Sequence, residues 1–133
     1  MMQPIKKLLG PKTLFSITAV YAVLITIAFL FPGKDIPSTG LPLDKLVHIA
    51  THAGLVFLVI LSVFRKQGDI IKMKQLYWVL IGCFIYGIVI EVVQERLVVL
   101  RHADVWDLVA NSIGILLGVV LFYKSKSYLK NQI

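Results

Sequence analysis

The sequence predicts an all-α fold: a polytopic membrane protein built as a bundle of four transmembrane helices. Three observations carry this. Hydrophobic residues make up 58% of the 133, and the mean hydropathy is +0.85. A soluble domain holds about 45–50% apolar residues. The apolar residues fall into four runs, each near the ~20 residues that span a bilayer. The basic residues gather in the links between those runs.

The head carries Lys6, Lys7 and Lys12, with Pro4, Gly10 and Pro11 interrupting any long helix. Pro11 also suits a first helical turn. Residues 13–31 contain no charge and form the first predicted span. The run is longer than the ~7–15 residues of a signal-peptide core, so it reads as a retained helix. Three prolines and two glycines make residues 32–42 a loop. The second helix is expected over 43–64, with Asp44, Lys45, His48 and His52 in its first turns. A link with four basic residues and one acid leads to a third helix over 76–94, which holds Glu91 and Gln94 near its end. Arg101 and Asp104 follow in a short polar connection. The fourth helix is expected over 105–123, with Asp107 and Asn111 in its first two turns. A tail with Lys124, Lys126 and Lys130 completes one domain over residues 1–133.

The net charge of +7 does not indicate nucleic-acid binding. That function needs a basic face on a water-soluble fold. The charge follows the positive-inside rule instead. Ten basic residues lie in the head, the second link and the tail, against four elsewhere. Four spans then place both termini in the cytoplasm. Six of the seven acids fall at the opposite side. Tyr77, Trp78 and Tyr123 read as cytoplasmic interface anchors, and Trp106 as an outer one. Cys83 sits alone in an apolar run and forms no internal disulfide.

Charge at membrane depth is expensive and marks a functional site by default. At ~1.5 Å per residue, His52 and Asn111 each lie about 10 Å below their helix entrances. At ~100° per residue, Asp44, His48 and His52 share an arc of about 80°. Asp104, Asp107 and Asn111 share about 60°, as do Glu91 and Gln94. Three narrow polar stripes at one depth are expected to form one pocket facing away from the cytoplasm. Packed together, these groups avoid a cost of several kcal/mol each against lipid. Gly114-x-x-x-Gly118 continues the fourth helix and reads as a close-packing face inside the bundle.

These residues resemble the VanZ-like membrane protein family. The likeness rests on Asp44-Lys45-Leu-Val-His48 opening one helix and Glu91-x-x-Gln94 closing the next. Arg101, Asp107, Asn111, Gly114 and Gly118 supply the third motif. It covers roughly residues 43–121. The resemblance implies a cell-envelope protein linked to low-level glycopeptide resistance, notably to teicoplanin. Family members often carry an aromatic residue, typically Tyr, where this chain has His52.

Two functions fit such a pocket. It binds or shields the head group of a lipid or a lipid-linked envelope precursor. Alternatively, it is a membrane-embedded hydrolase or transferase using His/carboxylate acid–base chemistry. The binding candidates are Asp44, Lys45, His48, His52, Glu91, Gln94, Arg101, Asp104, Asp107 and Asn111. Within them, His48, Glu91 and Asp107 are the candidates for catalysis. Imidazole exchanges protons near neutral pH. Arg101 would hold a phosphate bidentately and Lys45 as a point charge. No nucleophile is evident, since Cys83 is too deep and Ser112 and Thr51 have no base beside them. An activated water would have to serve. His48 and His52, at i and i+4, have metal-ligand spacing but lack the Glu of a zinc protease motif. The expected state is therefore one without metal or cofactor. The expected partners are membrane lipids and, from the resemblance, an envelope precursor or a glycopeptide. Residue spacing leaves the oligomeric state open.

Overall fold

The computed structural model describes residues 9–30, 43–97 and 105–131, with side chains described from 45 in the second segment and up to 128 in the third. Four helices cover them: α1 Pro11–Leu30, α2 Leu43–Lys66, α3 Met73–Leu97 and α4 Val105–Asn131. Each is long and apolar enough to cross a membrane.

The helix ends follow local chemistry and shift several expected boundaries. Pro11 opens α1, where a missing N–H costs nothing, and Leu14 N–H donates to Gly10 O at 2.9 Å. α2 runs to Lys66, two residues past the expected end, with Arg65 and Lys66 complementing its dipole. Gly68 (φ 77°) and Asp69 (φ 67°) then turn the chain left-handed. Asp69 N–H closes the turn on Phe64 O at 2.9 Å, and its carboxylate pairs with Arg65. α3 starts at Met73, three residues early, because Gln75 Oε1 accepts from Lys72 N–H at 3.0 Å. This is half of a capping box. α4 continues to Asn131, eight residues past the expected end. Nothing in the Lys-rich tail breaks a helix, and lysine is a good helix former.

α2 and α4 form the central pair, with the most extensive contact in the bundle. Gly114 and Gly118 make this possible, as their spacing predicted. A Cβ on Gly118 would lie 2.6 Å from Ala53 O, and one on Gly114 would press into Ile49 O. Val56, Ile60, Phe64 and Phe122 are fully buried along this seam. The rings of Phe64 and Phe122 meet edge to face at 5.3 Å. The outer surface is as apolar as the core: Phe15, Leu24, Ile85, Leu116 and Leu121 are more than half exposed. Lipid offers those residues an equivalent environment, so close packing drives helix association instead. Tyr77, Trp78, Trp106 and Tyr123 are exposed.

α1 is held by four polar bridges at successive levels. Thr18 Oγ1 and Ser62 Oγ are 2.9 Å apart. Tyr21 Oη donates to Thr51 O at 2.7 Å, and Thr26 Oγ1 meets Tyr86 Oη at 2.6 Å. Gln94 Nε2 donates to Phe29 O at 2.6 Å. Bonds of this kind contribute about 0.6 kcal/mol each in a membrane. The last bridge brings the end of α1 to the end of α3, beside the starts of α2 and α4.

Candidate functional site

The polar residues of three helices meet at that end of the bundle. His48, His52, Glu91, Asp107 and Asn111 are each no more than 5% exposed. His48 stands at their centre. Its Nδ1 donates to Asn111 Oδ1 at 2.8 Å, because an amide oxygen can only accept. Its Nε2 then faces Glu91 Oε1 and Asp107 Oδ2, each at 3.8 Å. That separation exceeds a hydrogen bond, so a small shift brings either carboxylate onto the ring. Phe29 of α1 stacks on the imidazole, with centroids 4.7 Å apart and planes inclined by 30°. The stack shields one ring face with an apolar surface.

Lys45 forms an ion pair with Asp107 Oδ1. Its side chain is 28% exposed against 6% for Asp107, so the ammonium marks the rim and the carboxylate the interior. Lys45 thus lends its charge to Asp107. Arg101 and Asp104 lie outside the described residues, as does the side chain of Asp44.

His52 sits one turn below His48. Its Nδ1 donates to His48 O at 3.0 Å, and the two rings lie nearly parallel at 6.2 Å. His52 uses one nitrogen on its own backbone, and the potential ligand set among the described residues is His48, Glu91 and Asp107. One ligand atom from each lies within 4.8 Å of the others. The Lys45 ammonium already stands against one of those carboxylates.

The stripes predicted which residues converge better than which ones pair. Asn111 and Gln94 take different partners. Asn111 bonds to His48, and Gln94 is drawn to the last turn of α1. Glu91 faces His48. Ser112 Oγ and Thr51 Oγ1 bond to carbonyls of their own helices, at 2.9 Å and 2.7 Å. Neither is directed at the cluster as a nucleophile. Sequence reasoning missed Phe29, which belongs to a uniformly apolar helix with no stripe to mark it. It also missed Gly87, whose signal was available: it lies four residues before Glu91 and shares its face. The apolar groove of about 410 Å³ between α1 and α2, beside Phe15, Ala22, Leu55 and Val59, is remote from this polar layer.

No curated protein and no solved structure matches the chain. The model of one family, described as VanZ/LLP1, matches residues 4–128. With His48, Glu91, Asp107 and Asn111 gathered at one end of four apolar helices, the chain belongs to the VanZ/LLP1 family, as a multi-pass membrane protein.

Proposed function

We propose that this protein resides in the bacterial cytoplasmic membrane with both termini inside. Its polar layer faces outward and binds or shields the head group of a lipid or lipid-linked envelope precursor, an activity linked to teicoplanin tolerance. One observation carries the reading: four buried polar side chains from three helices surround the buried His48, with the partly exposed Lys45 at their edge. Polar groups at membrane depth are kept where they serve a site. The orientation follows from the basic residues of the head, second link and tail.

A hydrolase or transferase acting on the same class of ligand is the second reading. The Asn111 bond favours it, since it fixes the ring of His48 and directs Nε2 at the carboxylates. A positioned imidazole of this kind exchanges protons with a bound group. Water would supply the nucleophile.

The test uses His48→Ala and Asp107→Asn in a teicoplanin-tolerant bacterial host whose tolerance depends on this protein. Both variants should lose tolerance at unchanged protein level. Full tolerance with both would sink the proposal, and loss of folded protein would assign the residues to the fold. Mass analysis of bound lipid separates the two readings: a binding module returns its ligand intact, and an enzyme returns it cleaved or modified.

A further inference from the structure

The polar cluster has a deeper layer that the rim chemistry does not use. His52 and Asn111 are 0% and 1% exposed, one helical turn deeper than His48 and Asp107. Each has one atom committed. His52 Nδ1 donates to His48 O, so Nδ1 carries the hydrogen and Nε2 carries a lone pair. Asn111 Oδ1 accepts from His48 Nδ1, so Nδ2 retains its two N–H donors. His52 Nε2 and Asn111 Nδ2 are buried with no hydrogen-bond partner among the described residues. Buried polar atoms are nearly always satisfied, by protein or by an ordered molecule. Lipid acyl chains cannot satisfy these two.

The two atoms lie against the same residue of α3. A Cβ on Gly87 of α3 would lie 2.9 Å from Asn111 Nδ2 and 3.4 Å from His52 Nε2. They are the nearest side-chain nitrogens to that bare stretch of backbone. No hydrogen bond joins them, and those two distances put them at most about 6.3 Å apart, within the span of one atom that bonds to both. Their chemistry selects the bridge. One side donates and the other accepts, so the bridging atom must accept a hydrogen and also carry one. A hydroxyl does both. A carbonyl or phosphodiester oxygen has no hydrogen to give, and an ammonium has no lone pair to offer.

We propose that the pocket ends in a hydroxyl-binding site formed by His52 Nε2, Asn111 Nδ2 and the backbone of Gly87. The ligand is an O–H group: a water molecule or a hydroxyl of a polyol or sugar head group. Asn111 donates to its oxygen, and its hydrogen is donated to His52. Glycine at 87 keeps the space open, because a methyl group there would press on Asn111 Nδ2. The site stands whether or not the rim binds a head group.

The test is a high-resolution structure of the full chain in two bilayers. Phosphatidylcholine has no head-group hydroxyl, and phosphatidylglycerol has two. An isolated oxygen within hydrogen-bond distance of both nitrogens, in both lipids, identifies water. Density continuous with the glycerol, in phosphatidylglycerol only, identifies a lipid hydroxyl. Either supports the proposal. An empty position in maps that resolve ordered waters elsewhere overturns it, as does a direct bond from either nitrogen to another protein group. A second measurement uses ¹⁵N-histidine resonances in Gly87→Ala. The His52 Nε2 signal should move towards that of a nitrogen whose lone pair is unbonded. An unchanged signal in the folded variant overturns the site, and if the variant does not fold the structural measurement decides.

Discussion

Alanine at Gly114 tests whether the α2–α4 seam positions the polar cluster. A Cβ there would press into Ile49 O and lie 3.0 Å from His52 Cβ and 3.1 Å from the Ile49 carbonyl carbon. The obstacle is backbone, so no rotamer change relieves it. Overpacking costs about 1–3 kcal/mol, and this contact belongs at the upper end. Replacing glycine inside a helix returns about 1 kcal/mol. The net loss is about 2 kcal/mol, or roughly 30-fold in the folding equilibrium. Gly82 is the control, because a Cβ there meets nothing within 4 Å. Gly82→Ala should hold or gain stability by up to about 1 kcal/mol. Reversible unfolding in mixed micelles with rising denaturing detergent measures both. Equal stability of Gly114→Ala and Gly82→Ala would refute the close-packed seam.

Three further outcomes follow from the site and its orientation. Lys45→Met and Asp107→Asn, alone and together, should show a coupling of about 1–3 kcal/mol in the same unfolding assay, and additive effects would show that the ion pair contributes nothing. In a Cys83→Ser background, Gln67→Cys should react with an impermeant thiol reagent only from the cytoplasmic side and Val105→Cys only from outside; the reverse pattern would overturn the orientation. Treatment with a chelator should leave the melting temperature unchanged, since Lys45 supplies a cation beside Asp107. A fall reversed by one divalent metal would instead make His48, Glu91 and Asp107 its ligands.

The four spans were legible because charge is costly in hydrocarbon, and the breaks between apolar runs are therefore sharp. The ends were less so. The Lys72–Gln75 cap starts α3 early, and the lysine-rich tail prolongs α4, because both depend on local bonding that hydropathy does not register. The convergence of His48, Glu91, Asp107 and Asn111 followed from three stripes at one depth. The pairing did not. Which nitrogen of His48 meets Asn111 depends on the rotation of α2 against α4, and that is set by Gly114 and Gly118 seated on the α2 backbone. The place of α1 was invisible for a different reason. Thr18, Tyr21, Thr26 and Phe29 are uncharged and scattered through an apolar helix. Only their partners on α2 and α3 reveal one attached face.

The central claim is that the polar cluster around His48 holds a head group. Native mass spectrometry of the purified protein, released from membranes of the tolerant host, tests it most directly. The wild-type chain should retain one class of lipid or lipid-linked precursor, defined by its head group. His48→Ala, with unfolding behaviour like that of the wild type, should retain that class at least tenfold less. Equal retention of the same ligand by wild type and His48→Ala would contradict the account.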